Sequence, residues 1–166
     1  MNSSHRTFRI NIGFLINQPI GYARNFVFDT PIAIQHDDYV LNNIIGAAEF
    51  SRIQQGLHIQ ADFSALLQMT CVRCLEEYQQ ILHAVFEEIF TFKGHPLSED
   101  EQEVPEDGYI DIEPLLIDYL FLEIPIKPVC KENCFGLCII CGQNLNQTFC
   151  EHQKLVVGDQ LPGKEY

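Results

Sequence analysis

Seven cysteines and one histidine fall into four close pairs, and this spacing restricts the chain more than any other feature. The pairs are Cys71/Cys74, Cys130/Cys134, Cys138/Cys141 and Cys150/His152. Zinc takes four tetrahedral sulfur or nitrogen ligands, and two cysteines separated by two or three residues can chelate one ion from a tight turn. Eight ligands make two complete sites with none left over. Sequential pairing assigns Cys71, Cys74, Cys130 and Cys134 to one ion and Cys138, Cys141, Cys150 and His152 to the other. The run Cys138–Ile139–Ile140–Cys141–Gly142 has the form of a zinc knuckle, with Gly142 freeing the backbone where amides turn toward the thiolates. One alternative stays open: a single ion in the 130–152 segment, with Cys71 and Cys74 as free thiols.

Rival readings of these residues need context that the sequence lacks. A redox CxxC pair sits at a helix N-terminus after a strand; Cys71 follows a strand pattern, but residues 75–82 do not read as a helix. Catalytic zinc keeps three protein ligands, an open position and a nearby general base, whereas the ligands here come in fours. No HExxH motif, phosphate-cradling glycine loop or Ser/His/Asp order is present. The expectation is a protein that is not an enzyme. Disulfides are disfavoured by the expected compartment: residues 1–10 show no continuous apolar stretch, and the run 115–122 is too short to span a bilayer and contains Asp118. A cytoplasmic protein with reduced thiols follows from that reading.

The remaining sequence predicts an α+β fold rich in β-structure. Leu57, Ile59, Ala61, Phe63, Ala65, Leu67 and Met69 alternate without a break, predicting one long half-buried strand that ends at Cys71. Phe8, Ile10, Ile12 and Phe14 alternate, as do Phe26 and Phe28, so residues 8–34 read as short strands. Gly56 reads as a turn. Residues 78–92 are open to either reading, since Glu87 and Glu88 are good helix formers, but Val85, Ile89 and Phe90 add β-branched and aromatic weight and favour a strand. Asp111 as N-cap, Pro114 in the first turn, and Ile112, Leu115, Leu116, Tyr119 and Leu120 on one face predict a helix over 111–122. The expected architecture is an antiparallel sheet or partly closed barrel with one packed helix. Residues 1–129 would form this core, 130–152 the zinc-bound segment and 153–166 a loose tail. Residues 95–108 hold two prolines and a run of acids, and read as a solvated loop.

Twenty-three acidic residues face ten lysines and arginines, for a formal charge of −13. Seven thiolates and two zinc dications would bring this to −16. A free-standing nucleic-acid binder needs a basic footprint, and Lys127, Lys131 and Lys154 supply only a thin one. Charge therefore points to a basic protein partner, with RNA binding by the zinc modules as the alternative.

Two blocks carry a family resemblance. One is Cys71–Val72–Arg73–Cys74–Leu75–Glu76. The other runs from Leu122–Glu123–Ile124–Pro125 through Cys130, Cys134–Phe135–Gly136–Leu137–Cys138 and Cys141–Gly142–Gln143–Asn144–Leu145–Asn146. With Ile110–Asp111–Ile112–Glu113–Pro114–Leu115, they make the chain resemble the YceD family of large ribosomal RNA subunit accumulation proteins. The resemblance implies a non-enzymatic role in large-subunit biogenesis and large-subunit rRNA accumulation; the acidity adds the expectation that the chain acts through a basic ribosomal protein or the pre-ribosomal large subunit. The family ends its second block with Cys-x-Cys, where this chain has Cys150–Glu151–His152; histidine is an ordinary zinc ligand and keeps the set complete.

Overall fold

The computed structural model describes residues 7–31, 33–36, 39–94 and 102–152. The 153–166 tail and residues 95–101 of the acidic loop lie outside them. Among these described residues, eight strands and two helices follow in the order β1 (Arg9–Asn11), α1 (Gly13–Ile16), β2 (Ala23–Thr30), β3 (Ile34–His36), β4 (Tyr39–Ile53), β5 (Gly56–Thr70), β6 (Glu77–Thr91), β7 (Gln102–Glu103), β8 (Tyr109–Asp111) and α2 (Glu113–Leu122). The chain divides into two compact units: Met1–Leu67 with Ile81–Ile124, and Gln68–Gln80 with Pro125–Tyr166.

The first unit is built on a sheet ordered β2-β4-β5-β6-β7, with β3 also paired to β4. This order has two ends, so among the described residues the sheet does not close on itself. Its long pairs β2–β4 and β4–β5 are antiparallel; the short β7 joins β6 in parallel. The alternation in β5 is realised as expected: Leu57, Ile59, Ala61, Phe63, Ala65, Leu67 and Met69 are all buried. Phe28 of β2, Ile44, Ala48 and Phe50 of β4, and Leu82, Ala84 and Phe86 of β6 are buried too. Phe8, Phe28 and Phe63 form an aromatic centre, with ring centroids 5.4 Å apart for Phe8–Phe28 and for Phe28–Phe63.

The β1–β8 ribbon and α2 cover this inner face. Phe86 stacks on Tyr119 at 4.4 Å, and the Tyr119 hydroxyl donates to Glu88 at 2.7 Å. Helix α2 buries Leu116, Ile117 and Leu120. It starts two residues later than expected. Asp111 ends β8, and Ile112 occupies the cap position. The Asp111 carboxylate still accepts the Glu113 amide at 3.0 Å, which satisfies one of the free donors of the first turn.

Two sequence expectations fail for local reasons. The 8–14 alternation does not continue as a strand: after β1 the Ile12 and Gly13 amides both donate to the Gly108 carbonyl, and the chain turns into α1. Phe14 lies under the Arg24 guanidinium, 4.8 Å from its ring centroid. Gly56 is not the turn; Gln54 and Gln55 are, and Gly56 is the first residue of β5.

Candidate metal centres

The second unit collects all eight sequence-predicted ligands and sorts them into two sets. Cys71, Cys74, Cys130 and Cys134 form one, and Cys138, Cys141, Cys150 and His152 the other; within each set the ligand atoms lie within 4.8 Å of one another. Each set could hold a metal ion. All seven cysteines are free thiols.

The first set is held by two turns. Cys71 and Cys74 follow β5, where the Leu75 amide donates to the Cys71 carbonyl at 2.9 Å. The Cys134 amide donates to Lys131 at 3.1 Å, closing the second turn, and the Val72 amide donates to Pro128 at 2.9 Å, bringing the turns together. Gly136, at φ 75°, permits close passage: a Cβ there would sit 3.1 Å from the Arg73 carbonyl oxygen. The result is a sealed centre in which Cys71, Cys74 and Cys134 are buried. The opposite edges Cys71–Cys134 and Cys74–Cys130 measure 3.8 and 3.7 Å between sulfurs. A regular tetrahedron with such edges has its centre about 2.3 Å from each vertex, which is the zinc–thiolate bond length.

The second set rests on a small hairpin. Leu137 bridges Asn144, the Cys138 amide donates to Gln143 at 2.8 Å, and the Leu145 amide donates to Gly136 at 2.9 Å. Cys150 Sγ lies 3.3 Å from Cys141 Sγ, 3.6 Å from Cys138 Sγ and 3.2 Å from His152 Nδ1. Cys138 and Cys150 are buried, whereas Cys141 is exposed.

Both sets are prepared to carry negative sulfur. Burial works against ionisation of Cys71, but N–H donors of Cys130, Cys74 and Arg73 outweigh it and bring the thiol down to about 6. The Cys141 and Ile140 amides do the same for Cys138, also to about 6. Burial and neighbouring thiols push Cys130 up to about 12. The His152 amide favours the Cys150 thiolate, but crowding by Cys141, burial and Cys138 prevail, and that thiol stands at about 11. Four sulfurs so close cannot all ionise without a cation among them. A further donor waits beside the first set: the Tyr78 hydroxyl is buried without a hydrogen-bond partner among the described residues, and Tyr78 packs against these cysteines. Burial, together with Cys71 and Cys130, raises its pKa and keeps it a neutral donor. A four-thiolate centre filled by a dication still carries two negative charges, and such a donor suits it.

Sequence reasoning missed the supporting residues. Arg73 donates to the carbonyls of Glu132 at 3.4 Å and Cys134 at 3.1 Å. Asn146 donates to Cys134 Sγ at 3.3 Å while its Oδ1 accepts the Phe135 amide at 3.0 Å. Asn144 Oδ1 in turn accepts both the Asn146 amide and its Nδ2, each at 2.9 Å. The signal was present in the Asn-x-Asn spacing, which favours side-chain-closed turns.

The two knuckles differ at one telling residue. Gly142 follows Cys141 at φ 73°, with its amide on the Cys138 carbonyl at 2.8 Å. Leu75 follows Cys74 at φ 60°, with the matching bond, yet it is a leucine and 64% exposed. The left-handed conformation costs a non-glycine residue roughly 1–2 kcal/mol, and little burial offsets it here. Leu75→Gly is therefore expected to raise stability by roughly 1 kcal/mol with metal content unchanged, read from the denaturant midpoint. A lower midpoint would mean that the leucine side chain contributes more than the backbone strain costs.

Comparison with known proteins matches this region. A profile described as the large ribosomal RNA subunit accumulation protein YceD covers residues 59–160 and so includes both ligand sets. Uncharacterized proteins of Mycobacterium tuberculosis and Mycobacterium bovis are 32% identical over 94 residues, 54% of this chain and 45% of theirs. A protein of Zea mays, a chloroplastic large ribosomal RNA subunit accumulation protein YCED homolog 1, is 50% identical over 42 residues, 25% of this chain and 14% of its own. The chain thus spans less than half the length of these relatives. No solved structure matches it. With well over half of its length matched across both cysteine clusters, the chain belongs to the YceD family of large ribosomal RNA subunit accumulation proteins.

Proposed function

We propose that this protein is a non-enzymatic factor in large ribosomal subunit biogenesis. It supports accumulation of large-subunit rRNA by binding a basic ribosomal protein or the pre-ribosomal large subunit. Two zinc ions serve as structural clasps. Cys71, Cys74, Cys130 and Cys134 hold one, tying the residues after β5 to the start of the 130–152 segment; Cys138, Cys141, Cys150 and His152 hold the other. The tetrahedral edges of the first set support zinc, as does the absence of hard oxygen ligands from both sets. With four protein ligands per ion, no position is left for a substrate or an activated water, which favours a structural role. The cytoplasm, where thiols stay reduced, is the compartment that suits these sites; among the described residues no helix is long and apolar enough to cross a membrane.

The observation that carries the functional reading is the family match, because it spans the whole metal-ligand region. Depletion in the native host is expected to lower the ratio of large- to small-subunit rRNA, with recovery on expressing the wild-type chain. An unaltered ratio in depleted cells sinks the proposal. Binding of the purified protein to naked large-subunit rRNA at moderate salt would favour the zinc-module RNA-binding alternative.

A further inference from the structure

The charge of the molecule is not spread evenly. The unit Met1–Leu67 with Ile81–Ile124 contains five lysines and arginines against seventeen acids, a net −12. The metal-binding unit contains five against six, a net −1. The acidity therefore belongs to the sheet unit, and within it one surface stands out.

Helix α2 and the aromatic centre meet the sheet on its inner face. The outward side chains of β2, β4, β5 and β6 are covered by no named element among the described residues. The strand register assembles them into rows. Asn25 pairs with Glu49, and Glu49 with Gln60, whose side chain donates to Glu87 at 2.8 Å. Val27 pairs with Ala47, and Ala47 with Asp62, which meets His83 at 2.8 Å. Asp29 pairs with Ile45 in the next row. The apolar members are unusually bare: Val27 is 78% exposed, Val85 64% and Ile45 49%. Asp29, Glu49, Asp62 and Glu87 alternate with them, all exposed.

No lysine or arginine occupies an outward position on these four strands among the described residues. Arg24 and Arg52, the two arginines in β2 and β4, have inward parity and lie over the rings of Phe14 and Phe92. His58 and His83 are the basic groups present, and each is engaged with an acid of the same face. Four strands at a spacing of about 4.8 Å make a surface about 14 Å across, wide enough for a helix or two extended strands.

We infer that this outer sheet face is the docking surface for the protein partner, and that its occupant is a lysine- and arginine-rich segment that also carries aliphatic side chains. This rests on the functional reading above and adds to it the place of contact and the chemistry of the contacting segment. Carboxylates alone would suit any cation, and bare valines alone any apolar surface. Their alternation in register selects a segment with both features. The same carboxylates repel a phosphate backbone, so this face opposes direct RNA contact.

The test uses the full, metal-loaded, isotope-labelled chain and a synthetic 14-residue peptide of lysine and leucine. Chemical shift changes are expected to centre on Val27, Glu49, Asp62 and Val85. Two variants probe the two features: Asp29→Asn/Glu49→Gln/Asp62→Asn/Glu87→Gln removes the charge, and Val27→Ser/Val85→Ser removes the apolar surface. All these side chains point outward, so both variants should keep wild-type circular dichroism and metal content. Each is expected to weaken binding by about tenfold or more, and an all-lysine peptide should bind the wild type more weakly by a similar factor. Equal affinities across the three proteins, or shifts centred on residues 125–152, overturn the inference. A second arm expresses the charge variant in depleted cells. Failure to restore large-subunit rRNA supports the face as the working surface; full restoration overturns it while the family role stands. If depletion itself leaves rRNA unchanged, the functional reading fails, and the peptide mapping still decides whether the face binds such a segment.

Discussion

Replacing Cys71 by serine is expected to cut the metal content of the purified protein from two ions per chain to one. The two ligand sets share no residue, and each closes on itself within 4.8 Å. Serine keeps the size of the side chain but is a poor zinc ligand at neutral pH. The three remaining cysteines of the first set would keep two buried sulfurs beside an incomplete site. The backbone bonds that join its two turns, from Val72 to Pro128 and from Leu137 to Arg73, are few, so the turns depend on the ion to stay together. Loss of amide protection should therefore concentrate in residues 68–80 and 125–137, with a fall in melting temperature of about 10 °C. Cys138→Ser is the mirror experiment: one ion again, but with protection lost in the 138–152 hairpin. An unchanged metal count in Cys71→Ser would reject the first site; a fall to zero would show that the two sites fill together.

Gly56→Ala is expected to destabilise the sheet unit by about 3 kcal/mol, measured by chemical denaturation at constant metal content. A Cβ at this position would lie 2.0 Å from the Phe90 carbonyl oxygen and 2.9 Å from Thr91 Cα. These are backbone atoms of β6, so no side-chain rotation can relieve the clash; the strands must separate. Gly56 opens β5 opposite Ile53, at the closed end of the β4–β5 hairpin, and the movement would disturb both strand pairs at once. A loss below about 0.5 kcal/mol, the usual range for a surface change, would mean that β6 can shift freely at this end.

The reason for Gly56 shows what a sequence can and cannot disclose. A glycine between two apolar segments reads as a turn, since turns are where glycine is most often needed. Here it serves a close approach between strands, which depends on Phe90, 34 residues away. Strand β5 was legible because its period is regular; in α2 the expected face was right at Ile112, Leu116 and Leu120, but Leu115 and Tyr119 are only half-buried and Glu113 and Ile117 are buried instead, because the helix is apolar nearly all round. Strand β4, fifteen residues long, was not. Its register shifts between Asn42 and Ile45, and Asn43 takes φ 54°. Its inward residues therefore run Leu41, Ile44, Ala48 and Phe50, with an odd step that hides the alternation. The grouping of the eight candidate ligands was legible because short spacings mark side chains able to meet around one point, and the fold brings them together in two sets of four. The groups that hold them were not, because Arg73 and Asn146 act through backbone carbonyls and a sulfur whose positions appear only after folding.

The two candidate ligand sets also differ in how far the chain must bend back on itself. Cys71 and Cys134 are 63 residues apart, whereas Cys138 and Cys150 are separated by only 12. In a disordered chain, closing the longer span costs about 1.5 kcal/mol more, a rate difference of roughly tenfold if closure limits capture. If each set binds zinc as proposed, the C-terminal ion would be captured by a short stretch of nascent or denatured polypeptide on its own. Its neighbour must wait until the intervening β6 and α2 have been made and brought into place. On that proposal the long-range centre would be the one that records completion of the fold, and metal starvation is expected to leave molecules with the short-range set filled and the long-range set open.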